Sequence, residues 1–372
     1  MNTNRIKVDW YICIPAILLA AFALFTLASF GEVQTRFFKQ ALWVVIGIGA
    51  FFLMHKVDLA YLKERKVTLA VYGFALVALL LLFISGHVAK GAQSWIRLGF
   101  LSIQPTDPAK IALILVLAKY FSKRHMEISA FKHIFVSGIY AGILCVLVLL
   151  QPDFGSAVTV FAIWAGMVFV SGISKKHILI LGVAVALSIT GAWNFAFKEY
   201  QKQRIINFIH PLADIRGSGY NQYQAVIAVG SGQMWGKGIG YGTQSKLKFL
   251  PEYQTDFIFA AFAEEWGFVG VSVVLGLCAF MLLRMLYIAR RVSTNFEVLF
   301  ITGVVVFFGV HMCINIGMNI GVMPVTGIPL PFMSYGGSHI LVEFIALGIV
   351  SSMTGSRRGV ERRRAYNEFV GF

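Results

Sequence analysis

The sequence predicts an all-α integral membrane protein with about ten transmembrane helices, and three observations support this. Of the 372 residues, 58% are hydrophobic and only 13% are charged, against about 25% charged residues in a soluble domain. The hydrophobic residues form uncharged runs such as 10–30 and 67–85, which are long enough to cross a bilayer. The basic residues lie between these runs, so a membrane explains the net charge of +15 and we expect no nucleic-acid partner.

Ten apolar runs separated by polar breaks define the predicted spans. The first run is longer than the apolar core of a signal peptide and precedes no small-residue cleavage pattern, so we expect it to remain as the first span. No soluble domain and no internal repeat are visible, which predicts that residues 1–372 form one polytopic domain. The predicted spans are about 10–30, 36–54, 67–85, 106–121, 133–150, 155–171, 177–195, 256–283, 296–318 and 339–355.

The basic residues between the spans predict the orientation. With a cytoplasmic N-terminus, 20 Lys and Arg fall in cytoplasmic segments and only 5 in short outer segments. This excess follows the positive-inside rule, so both termini are predicted to be cytoplasmic. The connection at about 197–255, between spans seven and eight, then lies outside the cell. It is longer than a structureless loop usually is, and its Gly, Lys and Arg residues suggest a polar binding surface.

The four cysteines, Cys13, Cys145, Cys278 and Cys313, all lie inside apolar segments and form no CxxC pair. In a membrane span a thiol behaves as a small hydrophobic group. We therefore expect buried thiols rather than disulfides or a zinc site.

Three aspartates, Asp107, Asp153 and Asp256, each precede an apolar run at its predicted outer end. Taken singly, each is most simply a helix cap, because Asp is a favoured N-cap residue. Taken together, three helix N-termini on one side of a membrane offer N–H groups and partial positive charge to an anion such as a diphosphate. Lys110 and Arg204, or a metal ion, would balance the carboxylates. The alternative for Lys110, one turn inside its span, is that its ammonium snorkels to the interface.

Other ionisable residues within the predicted spans are less informative. Glu264, Glu265 and Glu343 lie at membrane depth, where an acid is either functional or a helix-packing group, and the sequence leaves both interpretations open. His311 and His339 are more simply packed or hydrogen-bonded than metal-ligating.

The same residues lie in sequence blocks that resemble the SEDS family of bacterial cell-wall polymerases (shape, elongation, division and sporulation proteins). The resemblance extends over essentially the whole chain and is greater to the elongation member than to the division member. Where the family usually has Gln-Pro-Ser-Glu, this chain has Thr106 and Asp107, so the acid is one methylene shorter. The matching blocks are 90–95, 104–110, 151–155, 200–204, 227–232, 236–238, 249–259, 263–265 and 329–338.

The resemblance implies a peptidoglycan glycosyltransferase that polymerises lipid II into glycan strands at the outer face of the cytoplasmic (inner) membrane during elongation. It implies a class B penicillin-binding protein and other elongation-complex membrane proteins as partners. Asp256 is the implied catalytic residue. The implied substrate- and diphosphate-binding residues are Lys110, Arg204, Asp153, Asp107, Glu252 and Ser334.

The chemistry of this reaction fits these residue types. A sugar hydroxyl attacks the anomeric carbon of the donor, and a carboxylate general base such as Asp256 is worth about 10²–10⁴ in rate. The departing diphosphate needs positive charge, so we expect a divalent cation, Mg²⁺ or Mn²⁺, with Asp256 and Asp153 as candidate ligands. The alternative function is a lipid-linked-sugar flippase. Its alternating access would place the polar groups near the bilayer midplane, whereas here they gather at one face.

Overall fold

The computed structural model describes residues 8–29, 34–85, 87–89, 92–98, 101–123, 131–172, 174–195, 199–209, 218–247 and 249–354. Helices make up most of these residues. The helices are α1 (Trp10–Ser29), α2 (Gln34–His55), α3 (Leu59–Lys63), α4 (Arg65–Ser85), α5 (Thr106–Ser122), α6 (Phe131–Leu150), α7 (Phe154–Val170), α8 (Lys175–Phe195), α9 (Glu199–Ile209), α10 (Ser218–Ser231), α11 (Thr243–Lys246), α12 (Ile258–Ala289), α13 (Asn295–Asn319) and α14 (Gly337–Met353).

Each of the ten predicted spans contains a helix, and nearly all helix ends lie within two residues of the predicted ones. The main exception is α12, which continues to Ala289. Within the described ranges, α1, α2, α4, α6, α12 and α13 are long and apolar enough to cross a membrane, and α7 and α14 are shorter apolar helices. The multi-pass character is therefore supported, while the number of spans and their orientation stay predictions.

Two departures from the prediction lie in the connections between spans. A small antiparallel sheet of β1 (His87–Ala89), β2 (Ala92–Leu98) and β3 (Leu101–Ile103) precedes α5. The all-α prediction missed it because short strands alternate with a period of two residues and contain no long apolar run. The connection at 197–255, predicted as a loop, contains α9, α10 and α11.

The helix bundle packs around α5. All residues of α5 from Ala109 to Ala118 are buried, and the helix contacts α4, α7 and α13. A helix surrounded by protein on all sides is apolar all round. Any polar residue in its first turns is consequently carried into the interior of the bundle, which applies to Asp107 and Lys110.

At one end of the bundle, ion pairs join helix ends that the predicted topology assigns to the cytoplasmic side. Arg284 of α12 holds Asp9 (Nη2 to Oδ2 2.7 Å), and Lys63 Nζ lies 2.7 Å from Glu297 Oε1 at the start of α13. The backbone N–H of Asp9 donates to Ser351 Oγ of α14 (3.1 Å). The polar loops described below join the opposite helix ends.

All four cysteines are free thiols. Cys13 and Cys278 are buried and Cys145 is half-buried, but Cys313 is exposed. The expectation of a buried thiol is therefore wrong for Cys313. An apolar span does not reveal from composition which of its faces is turned outward from the bundle.

Candidate active site

The segment 251–257, called here the Asp256 loop, leads into α12 and carries Asp256. The backbone carbonyl of Asp256 accepts hydrogen bonds from Asn315 Nδ2 (3.0 Å) and Asn319 Nδ2 (3.1 Å) of α13. Its side chain is half-buried, and a methyl group on Gly327 would lie 3.7 Å from Oδ2. The N-cap of α12 is Phe257, without a side-chain cap bond. The residue at the N-cap position of α12 is therefore Phe257 rather than Asp256, and the role of the Asp256 carboxylate stays a prediction.

A second loop, residues 324–336, is joined to the Asp256 loop by hydrogen bonds to backbone carbonyls. Ser334 Oγ donates to the carbonyl of Thr255 (2.7 Å) and accepts from the N–H of Leu330 (2.8 Å). The N–H of Tyr335 donates to the carbonyl of Gln254 (2.9 Å). Ser334 is buried and its hydroxyl contacts backbone on both sides. This arrangement favours a positioning role, and direct substrate binding by Ser334 stays a prediction.

Helix α2 supports both loops through two side chains that the sequence did not single out as site residues. Gln40 Nε2 donates to the carbonyl of Ser334 (3.2 Å), and Gln40 Oε1 accepts from the N–H of Gly336 (3.2 Å). The Arg36 guanidinium donates to Gln254 Oε1. Gln40 is fully buried, so the available signal was one amide directly after Lys39, near the start of an apolar span.

Asp153 is a helix cap, as its position in the sequence suggested. Its Oδ1 accepts from the N–H of Ser156 in the first turn of α7 (3.0 Å), and Gln104 Nε2 donates to Oδ2 (3.2 Å). Immediately after this cap, α7 packs against the second loop so closely that a Cβ on Gly155 would lie 2.7 Å from the carbonyl oxygen of Thr326. The cap interpretation is confirmed for this aspartate.

A cleft lies between α7, α9 and the second loop. Its lining includes Arg204 of α9, Phe154 and Thr326, so one of the predicted site residues, Arg204, lines it. Asp153 directly precedes the lining residue Phe154 in the chain, and a Cβ on Gly327, which follows Thr326, would lie 3.7 Å from Asp256 Oδ2. The two aspartates thus lie next to segments that line the cleft, and their part in it stays a prediction.

Glu252 shapes the turn that presents Asp256. It has a left-handed backbone (φ 56°), which a residue with a Cβ rarely adopts. Its carbonyl accepts from the N–H groups of Thr255 (3.1 Å) and Phe257 (3.2 Å), and its Oε2 accepts from Thr255 Oγ1 (3.1 Å). The side chain is exposed, so substrate binding by Glu252 is compatible with its position and stays a prediction.

Asp107 and Lys110 lie apart from the cleft lining, inside the bundle. Lys110 Nζ is 3.2 Å from Asp107 Oδ1, and both side chains are at most 3% exposed. The N-cap of α5 is Pro105, without a side-chain bond, so the cap interpretation is wrong for Asp107. Snorkelling is equally wrong for Lys110, whose ammonium is buried and lies 5.9 Å from the ring centroid of Phe307.

The Asp107–Lys110 pair continues into a larger buried cluster. His339 Nδ1 lies 3.6 Å from Asp107 Oδ1, and His339 Nε2 lies 2.7 Å from Glu343 Oε1. The His311 ring stacks on that of His339, with centroids 5.3 Å apart. The structure therefore brings together ionisable residues of α5, α13 and α14 that the sequence left as separate observations.

Glu264 and Glu265 have the helix-packing role that was one of their two interpretations. Glu264 Oε1 lies 2.7 Å from Lys237 Nζ and accepts from the N–H of Thr243 (2.9 Å). Glu265 Oε1 accepts from the N–H of Gly240 (3.0 Å). The two carboxylates anchor the glycine-rich part of the long connection to α12.

That anchoring depends on a break in α12 at Gly267, which has a left-handed backbone (φ 65°). The N–H of Phe268 donates to the carbonyl of Gln233 (2.8 Å), so the connection satisfies backbone groups that the break releases. A Cβ on Gly267 would lie 2.2 Å from the backbone nitrogen of Gly236. A break at membrane depth is stable only with such partners.

Asp256 and Asp153 are the candidate metal ligands. Among the residues that the structure describes, no group of three or more His, Cys, Asp or Glu is placed to hold a metal ion. Mg²⁺ commonly binds through one or two carboxylates and completes its shell with water and substrate phosphates. Two aspartate carboxylates would suffice for a cation that binds together with a diphosphate, and this part of the prediction remains a proposal.

Comparison with known proteins relates this arrangement to a family. The family described as cell cycle protein, of FtsW, RodA and SpoVE, matches residues 6–359. Peptidoglycan glycosyltransferase MrdB of Escherichia coli K12 is 40% identical over 273 residues, which cover 73% of this chain and 74% of that one. The probable peptidoglycan glycosyltransferase FtsW of Coxiella burnetii is 33% identical over 355 residues, 92% of this chain and 95% of that one.

Two solved structures resemble the whole fold. One chain comes from a study of how a peptidoglycan synthase complex coordinates polymerization and crosslinking; its TM-score is 0.82 at 29% identity, with 94% of this chain and 98% of that chain covered. The rod shape determining protein RodA of Thermus thermophilus has a TM-score of 0.72 at 28% identity, with 95% and 99% covered.

Proposed function

The chain belongs to the FtsW, RodA and SpoVE family of cell cycle proteins and is a peptidoglycan glycosyltransferase, and we propose that Asp256 is its general base. The observation that carries this proposal is the position of Asp256 on a loop that is hydrogen-bonded to the second loop, whose residues 324–326 line the cleft together with Arg204. The N-cap residue of the helix that follows is Phe257 rather than Asp256. We further propose that the cleft faces outward from the cytoplasmic membrane, because the basic residues concentrate at the other helix ends.

The proposed substrate is lipid II, and the chemistry assigns each residue a step. Asp256 takes the proton of the attacking sugar hydroxyl. The Arg204 guanidinium stabilises the negative charge that develops on the departing diphosphate. A bound Mg²⁺ or Mn²⁺ would lower that charge further, with carboxylate oxygens of Asp256 and Asp153 as its protein ligands. Lys110 remains a proposed diphosphate ligand, and to act so it must exchange its bond to Asp107 for the substrate.

We propose that this chain acts in elongation with a class B penicillin-binding protein that crosslinks its product. Its identity is 40% with MrdB, against 33% with the FtsW of Coxiella burnetii. One chain that resembles this protein comes from a peptidoglycan synthase complex that coordinates polymerization and crosslinking. Other elongation-complex membrane proteins are further proposed partners. The flippase alternative is not favoured, because the relatives of this chain are named glycosyltransferases.

Substitution of Asp256 tests the proposal directly. Asp256→Asn keeps the size of the side chain, but an amide cannot accept the hydroxyl proton. We expect a loss of at least about 10²-fold in glycan-strand formation from lipid II by the purified protein. Asp256→Ala should lose as much activity with little loss of thermal stability, because Phe257 rather than Asp256 holds the N-cap position of α12.

Asp58→Asn is the matched control. Asp58 is an aspartate that does cap a helix, α3, by accepting from the N–H of Ala60 (2.9 Å). Asn caps about as well as Asp, so this variant should keep both its stability and its activity. An Asp256→Asn variant that polymerises within a few-fold of the unmodified protein would refute the assignment of the base.

A further inference from the structure

Glu343 is a fully buried carboxylate of α14 that the mechanism above does not use. Its Oε2 accepts a hydrogen bond from the backbone N–H of Phe332 (2.9 Å), and its Oε1 lies 2.7 Å from His339 Nε2. A buried carboxylate is costly unless hydrogen bonds and opposite charge compensate its desolvation. One oxygen of Glu343 thus accepts a hydrogen bond and the other lies at ion-pair distance from the His339 ring, so each contact needs an explanation.

The contact with Phe332 fixes a strained residue. Phe332 has a left-handed backbone (φ 62°), which a bulky side chain adopts only where its surroundings impose it. Its buried ring packs between those of Phe308 (centroids 5.4 Å apart) and Phe344 (5.3 Å). Glu343 therefore holds the backbone of Phe332 while the two rings hold its side chain.

This strained residue is two positions from Ser334, which connects it to the Asp256 loop. Ser334 Oγ donates to the carbonyl of Thr255 (2.7 Å), and Thr255 directly precedes Asp256. A short path of one peptide segment and two hydrogen bonds thus leads from Glu343 to the backbone of Asp256. Since proton transfer requires hydrogen-bond geometry, a small shift along this path would misplace the base.

The contact with His339 completes the charge balance of the cluster. His339 lies between two carboxylates, Glu343 at 2.7 Å and Asp107 at 3.6 Å, and Asp107 also pairs with Lys110 at 3.2 Å. With a proton on both ring nitrogens of His339, the four side chains carry two negative and two positive charges. Balanced charges lower the cost of burying Glu343 relative to an unpaired carboxylate.

We propose that Glu343, held by His339, is a positioning residue that fixes the second loop and, through Ser334, the place of Asp256. The proposal rests on the assignment of Asp256 as the general base. It concerns the maximal rate rather than the binding of lipid II, because Glu343 lies behind the loop and does not line the cleft.

The test compares Glu343→Gln with Glu343→Leu in the purified full-length protein. The Gln variant keeps a carbonyl acceptor for the N–H of Phe332, whereas the Leu variant removes it. We expect Glu343→Leu to lower kcat for glycan-strand formation about 10- to 100-fold with KM nearly unchanged, and Glu343→Gln to restore most of that kcat. Equal kcat in the Leu variant and the unmodified protein overturns the proposal.

Glu297→Leu is the matched control for stability. Glu297 is also a fully buried glutamate, paired with Lys63 at the opposite end of the bundle (2.7 Å). Its removal should lower the unfolding temperature to a similar extent and leave kcat unchanged. If Glu297→Leu loses as much kcat as Glu343→Leu, the effect of Glu343 is only general destabilisation and the proposal fails.

Ser334→Ala keeps the proposal testable if the Leu variant does not fold, because it removes one hydroxyl and leaves no buried charge. The path predicts a loss of about 10-fold or more in kcat at unchanged KM, and full kcat overturns it. Asp256→Asn separates the two proposals. If Asp256→Asn is inactive while Glu343→Leu and Ser334→Ala keep full kcat, the positioning proposal fails and the base assignment stands.

Discussion

Removal of the Lys110 ammonium tests what the buried pair with Asp107 contributes. The sequence alone predicts that Lys110→Met leaves folding intact, since Met removes a charge from a membrane span. The structure reverses this expectation, because the two side chains are 3.2 Å apart and at most 3% exposed. Removal of one partner from a buried ion pair costs about 3–5 kcal/mol, since the other charge remains buried. We expect about 3 kcal/mol, because His339 and Ser338 still contact Asp107.

A double-mutant cycle gives the decisive comparison. Asp107→Asn should also cost about 3 kcal/mol, and the double variant no more than either single change, which is a coupling of about 3 kcal/mol. The measurement is the free energy of unfolding in detergent, with glycan-strand formation assayed on the same samples. Additive losses would show that the two charges do not stabilise each other. A Lys110→Met variant as stable as the unmodified protein would refute the structural argument itself.

Two further predictions concern orientation and loop packing. The first uses a background without native cysteines and a membrane-impermeant thiol reagent added outside cells with a permeable outer envelope. Lys246→Cys should react with the reagent, whereas Lys176→Cys should not. The reverse labelling would contradict an outward-facing site. Gly155→Ala should displace the second loop and lower activity, because its Cβ would lie 2.7 Å from the carbonyl oxygen of Thr326, whereas Gly142→Ala, with no atom within 4 Å, should not. Equal activities of the two alanine variants would show that this close contact has no role.

The helices of the bundle were predictable because an apolar run is a local property of the sequence. α9 and α10 do not stand out as apolar runs, because both mix polar and apolar residues, as the sequence Glu199–Ile209 shows. The contacts that build the site were even less accessible. Arg36 and Gln254 are 218 residues apart in the chain, and Gln40 and Ser334 are 294 apart. Without an arrangement of the helices, no local pattern could join them.

The three aspartates show most clearly where local reasoning ends. Each lies at the start of a helix at the same predicted face, and propensity alone makes all three caps. Asp153 is one because its Oδ1 accepts from the N–H of Ser156 in the first turn of α7, while the Gln104 amide donates to its other oxygen. In α5 the ammonium of Lys110, one turn later, pairs with the Asp107 carboxylate instead. For Asp256 the deciding contacts come from α13, which holds its backbone carbonyl so that Phe257 takes the cap position. Tertiary contacts, rather than propensity, thus separate the candidate base from its two neighbours.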